Sequence, residues 1–169
     1  MIIEPVKIIK AIAGDGKLVF EFFAFFSRFE YSLKRSGFLR RGRNGRAEVD
    51  WDKYAKSLEG KFLGVENPEF QAAISSLTGK PPKTQIVTAG DKLDWSDTLQ
   101  RSGEHDESYI LRLVRTVRNN LFHGGKYPHP VGPIDEVARN PRLLEAGIVV
   151  LRGCLALSES VRSIFEETV

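Results

Sequence analysis

At 169 residues the chain suits a single domain spanning 1–169, long enough to bury a core. Hydrophobic residues make up 41% and charged residues 28%, which excludes a disordered low-complexity chain. The longest apolar stretch, Ala146 to Leu157, is broken by Arg152 and falls short of the roughly 18 residues of a membrane span. A net charge of +3 permits an anionic partner without demonstrating one. Cys154 is the only cysteine, so no internal disulfide can form. Met1 to Pro5 lacks the layout of a signal peptide, and a reducing cytoplasm is the expected setting.

In chain order, the first element is a helix over Lys17 to Lys34. Phe22, Phe26, Phe29 and Leu33 recur at the spacing of one helical face, and Phe20, Phe23 and Phe25 widen it toward burial on more than one side. Gly37 stops it. Arg40 to Arg46 reads as a glycine-arginine loop. Asp50 then caps a second helix carrying Trp51, Tyr54, Ala55 and Leu58. Asn67-Pro68-Glu69 combines a cap, a first-turn proline and an acid at the positive dipole end, so it starts a short helix with Phe70, Ala73, Ile74 and Leu77. Gly79 and Pro81-Pro82 end that helix. Thr84 to Trp95 fits either a brief strand around Ile86-Val87 or an irregular connection.

A strong helix is predicted from about Glu104 to Phe122, with Ile110, Val114, Val117 and Leu121 as its core stripe and Gly124-Gly125 as its stop. Tyr127 to Pro133 is a proline-rich loop. Asn140-Pro141 starts the last helix, which carries Leu144, Ile148, Leu151, Leu155 and Val161 to about Glu166. Gly147 and Gly153 within it permit a close helix approach or a slight kink. The expected fold class is all-α, an up-and-down bundle of four to five helices with an irregular central insertion.

Arg118-Asn119-Asn120-Leu121-Phe122-His123 closes the strong helix, and Gly124-Gly125-Lys126 follow. Arg118 is a fixed cation suited to binding phosphate and steadying transition-state charge. His123 is the side chain type that titrates near neutral pH, suited to moving protons. Asn119, four residues before His123, lies within its reach and can orient the imidazole or contact substrate. Lys126 and Arg115 add phosphate contacts. On a helical wheel, Arg115, Arg118, Leu111 and Phe122 share a face beside Asn119 and His123. Apolar residues mixed with arginine on one face point to a partner surface. A bland reading stands beside this one: His123 caps the last carbonyls of its helix and Arg118 pairs with an acid in the bundle.

The string from Arg118 to Lys126 resembles the signature of the HEPN superfamily. That signature is an arginine and a histidine separated by four to six residues, usually with a polar residue directly after the arginine. It sits on the penultimate or third main helix of an α-bundle. The aromatic first helix and long final helix also fit, whereas residues 37–103 match no subfamily. The resemblance implies a metal-independent endoribonuclease working as a homodimer on single-stranded RNA, without a cofactor. In that scheme the ribose 2′-hydroxyl attacks its own phosphodiester. His123 is the general acid or base, Arg118 the phosphate clamp and Asn119 the supporting polar residue. It further implies a toxin with a cognate antitoxin, or a phage-defence effector. Some members of the superfamily are catalytically inactive and bind RNA, nucleotide or a protein partner. A third reading is a plain helical interaction protein whose Arg-His pair is structural.

Three further features complete the expectations. Glu30, flanking the aromatic face of the first helix, needs a partner: Arg118 is one candidate, and a salt bridge to Arg28, Lys34 or another helix is the bland alternative. Lys34 to Arg46 holds six basic residues and no acid, among them Arg40, Arg41 and Arg43, a composition that suits an RNA backbone or a solvated loop. His105, His123 and His129 match no zinc spacing, so no metal is expected, and Cys154 falls on an apolar helix face as a core residue.

Overall fold

The computed structural model describes residues 16–123 and 135–167. Its order is α1 (Gly16–Arg35), β1 (Leu39–Arg41), β2 (Ala47–Val49), α2 (Trp51–Ser57), α3 (Pro68–Gly79), β3 (Thr84–Thr88), β4 (Lys92–Ser96), α4 (Asp106–Phe122), α5 (Asp135–Ala156) and α6 (Glu159–Glu166). The chain is therefore mostly helical but not all-α. Two antiparallel hairpins, β1–β2 and β3–β4, replace the expected loop and irregular insertion. No described helix is long and apolar enough to cross a membrane.

The helices form where their local signals lie. Asp50 accepts a hydrogen bond from the Lys53 amide and starts α2, and Asn67 does the same for Phe70 at the head of α3. Phe22, Phe26, Phe29 and Leu33 of α1 are all buried. Phe20 and Phe23 remain exposed, so α1 is buried along one stripe rather than on several sides. Phe25 rests at the edge of the core against Phe165, ring centroids 4.8 Å apart.

α5 is the central element, packing on α3, α1 and α4. Its two glycines make this possible. A Cβ at Gly147 would lie 2.8 Å from the Phe22 ring, and one at Gly153 would lie 2.1 Å from the Phe70 ring. The rings of α1 and α3 occupy the space a side chain would take. This helix begins at Asp135, before the expected Asn140-Pro141 start, and carries Pro141 inside. It ends at Ala156, and a break at Leu157-Ser158 sets off α6 as a separate helix. Arg28 of α1 donates to the carbonyls of Ile164 and Phe165, closing the end of α6. Cys154 is buried as expected, with the Tyr54 hydroxyl donating to its carbonyl at 3.3 Å.

Both hairpins turn through left-handed backbone. Asn44 and Gly45 have positive φ in the first, Gly90 and Asp91 in the second. Arg40 pairs with Glu48 across β1–β2, and the Asp50 amide donates to the Phe38 carbonyl, continuing the ladder into α2. The second hairpin is tied to α4 at its base. Asn120 donates to the Lys83 carbonyl at 2.7 Å, the Tyr109 hydroxyl to the Thr98 carbonyl at 3.0 Å, and Thr84 bonds Thr98.

Candidate functional site

Both surfaces of α4 outside the core stripe carry chemistry, and they meet at Asn119. The first is the helix end. Arg118 is half-buried, its guanidinium 5.7 Å from the Phe26 ring centre and 5.2 Å from that of Phe122. Cation–π contacts of this kind contribute about 0.5–1 kcal/mol each and fix the direction of the side chain. Its Nη1 donates to Asn119 Oδ1 at 3.1 Å. His123 closes the helix, its amide donating to the Asn119 carbonyl at 2.9 Å, while its side chain is exposed. No hydrogen bond to the imidazole is found among the described residues. Asn119 therefore steadies Arg118 rather than the imidazole. The adjacent Asn120 is buried and serves the hairpin anchor instead.

The shared face expected for Leu111 and Phe122 divides. Leu111 is only 2% exposed and faces the cleft below α2, so it offers no surface to a partner. Phe122 is 46% exposed and packs on Phe23, ring centroids 5.4 Å apart, with exposed Phe20 beyond. The apolar surface beside the Arg-His motif thus comes from α1 and the end of α4.

The second surface is a polar cleft of about 290 Å³ lined by Trp51 and Asp52 of α2, Arg101 and Glu104 of the connection, and Ser108, Leu111, Arg112, Arg115, Thr116 and Asn119 of α4. Arg112 binds Glu104 through two nitrogens, the Nε contact at 2.8 Å, and also donates to the Leu99 carbonyl. The hydrogen bonds from Arg112 hold the Glu104 carboxyl below its ordinary range against the opposing effect of burial, and Glu104 in turn raises Arg112. Arg115 lies over the Trp51 ring at 5.4 Å. Burial lowers its proton affinity, with Asp52 and Glu30 opposing and Arg40 and Arg112 adding to the shift. A guanidinium stays charged through such a shift.

Glu30 makes no ion pair with Arg118, Arg28 or Lys34; its charge acts on Arg115. The candidate Glu30–Arg118 pair does not form, and Phe26 and Phe122 flank the Arg118 guanidinium instead. Arg40 bridges Glu48 at 3.4 Å, and its charge acts on Arg115. Arg41 and Arg43 are exposed. Lys126 and the predicted Gly124-Gly125 stop and Tyr127–Pro133 loop lie outside the described residues, as does His129. His105 pairs with Glu59 at 3.4 Å, and no group of His, Cys, Asp or Glu suited to a metal is found among the described residues.

Arg101, Arg112, Glu104 and Ser108 were not anticipated from the sequence. A signal for part of this set exists: Ser108, Arg112, Arg115 and Asn119 follow at steps of four, three and four, a polar stripe in phase with the apolar one. Comparison with family models, with curated proteins and with solved structures finds no match to this chain.

Proposed function

We propose that the protein is a metal-independent endoribonuclease that cuts single-stranded RNA at the end of α4. One observation carries this reading. Arg118 is pre-oriented by two aromatic rings and Asn119, while His123, five residues on at the helix end, keeps its imidazole in solvent and free of hydrogen bonds to described residues. That division suits the chemistry. A phosphate clamp gains from rigidity, and a proton carrier needs access to the reacting oxygens. In the proposed step the ribose 2′-oxygen forms a bond to the adjacent phosphorus while the bond to the 5′-oxygen breaks. The proton leaves the 2′-hydroxyl and one is delivered to the departing 5′-oxygen, with His123 serving one of these transfers and solvent water the other. Arg118 offsets the charge gathering on the non-bridging oxygens. The products are a 2′,3′-cyclic phosphate and a free 5′-hydroxyl.

The resemblance to the HEPN superfamily supports the same assignment and adds a homodimer. The exposed rings of Phe20, Phe23 and Phe122 adjoin the motif and supply an apolar surface for a second copy. A toxin or phage-defence role, with an antitoxin as partner and the cytoplasm as its setting, belongs to this proposal. The competing reading is an inactive module that holds RNA, nucleotide or protein on the same surface, and the exposed aromatic rings favour it equally. The test is cleavage of single-stranded RNA in chelator. His123→Ala abolishes it while retaining fold and oligomeric state. Binding without turnover by the wild-type protein selects the inactive module.

A further inference from the structure

We propose that the polar cleft of α2 and α4 is a second phosphate subsite, holding the backbone of the RNA strand next to the bond that is cut. This rests on the nuclease reading but is carried by Arg115, Arg101, Arg112 and Ser108, with Asn119 shared between the two. Arg115 is the first observation. It lies half-buried in the cleft over the Trp51 ring, yet makes no hydrogen bond to any described residue. A guanidinium has five donors, and none of these is taken by a described residue, so they are available for charge-assisted bonds. An anion in the cleft meets them.

The surrounding groups fit an anion. Arg101 and Arg112 line the same space. Glu104 is already neutralised by Arg112, which leaves Asp52 as the carboxylate opposing Arg101 and Arg115, with Glu30 acting on Arg115 from outside the lining. Asn119 presents a donor to the cleft for a specific reason. Arg118 engages its Oδ1, so its amide nitrogen is the end left for a ligand, and nitrogen only donates. Ser108 adds a hydroxyl.

The cleft also indicates what it does not read. Trp51 is its one aromatic lining residue, and that ring is covered by Arg115 and by Phe26 and Phe29. No ring is open for a base to stack on, so the contact is to phosphate and sugar and is indifferent to base identity. A volume of about 290 Å³ is at the small end for ligand pockets and suits a phosphate with its ribose. Asn119 belongs to the cleft and touches Arg118, so a strand leaving the clamp enters the cleft directly.

The test uses 2′-O-methyl oligonucleotides, which lack the attacking hydroxyl and so report binding alone, titrated by fluorescence anisotropy. Arg115→Ala and Arg101→Ala each weaken binding about tenfold and lower the salt slope by about one unit, equally for uridine and adenosine homopolymers. Arg101 is exposed, so its variant keeps the fold if Arg115→Ala does not. Unchanged affinity and slope in Arg101→Ala, together with unchanged behaviour of any folded Arg115→Ala protein, overturn the subsite. Capture of 5′-AMP by the cleft with no oligonucleotide binding overturns the strand assignment. The two proposals fail separately. Absent cleavage with arginine-dependent binding removes the nuclease reading and keeps the subsite. Cleavage that needs His123 but ignores Arg101 and Arg115 does the reverse.

Discussion

Gly153→Ala tests how tightly α5 seats on α3. The new Cβ would stand 2.1 Å from Phe70 Cε2 and 2.2 Å from Cδ2. Carbon atoms rest at about 3.5–4.0 Å, so the ring must retreat by more than an ångström. It has nowhere to go. Phe70 is 1% exposed and meets Phe62 edge to face, centroids 5.1 Å apart. Overpacking of this kind costs about 1–3 kcal/mol, and the severity here argues for the upper end. Against it stands the gain of replacing a helical glycine by alanine, about 1 kcal/mol. The net expectation is a loss of about 2 kcal/mol. For a chain of this size that lowers Tm by roughly 4–8 °C. Thermal unfolding followed by far-ultraviolet circular dichroism measures it. Phe70→Leu, damaging alone, should cost less in the Gly153→Ala background because it vacates the clash. A variant Gly153→Ala as stable as the parent, or more so, refutes the seating of the Phe70 ring against this glycine.

The Glu104–Arg112 pair gives a pH signature. The folded carboxyl is depressed, so its contribution is fully present above the ordinary glutamate value of about 4.3 and is lost as pH falls through the lower folded value. Glu104→Gln should cost about 1.5–3 kcal/mol at neutral pH, and the gap to wild type should close under acid in a series of denaturant titrations. Arg40, Arg41 and Arg43 are exposed, so changing all three to alanine should leave Tm nearly unchanged while reducing RNA affinity and the dependence of affinity on salt. An unchanged salt slope in that triple variant would remove the hairpin from the RNA path.

What was legible in the sequence was the local part. Asp50 and Asn67 announce their helices because a cap acts within three residues, and the stripe of Ile110, Val114, Val117 and Leu121 announces α4 because helical periodicity is a property of the segment itself. The β3–β4 hairpin is different. Its residues Ile86, Val87, Leu93 and Trp95 are exposed, so no alternation of buried and solvated positions marks the strands. Distant bonds from Asn120 and Thr98 hold it in place, and those are invisible locally. The first hairpin has three-residue strands, and its arginines made it read as a loop. Leu111 shows the limit of a helical wheel, which tells which residues share a face but not what covers it. Arg115 is legible as a phosphate contact, but Arg101 and Arg112 are not, because a polar stripe ordinarily means water. Only the arrival of α2 and Glu104 beside them makes a site.

Fragment-end chemistry tests the central claim most directly. Wild-type protein incubated with single-stranded RNA in chelator should leave 2′,3′-cyclic phosphate and 5′-hydroxyl termini by mass spectrometry, and Arg118→Ala and His123→Ala should each leave the RNA whole. Termini of 3′-hydroxyl and 5′-phosphate, or the same cyclic ends still produced by His123→Ala, would contradict it.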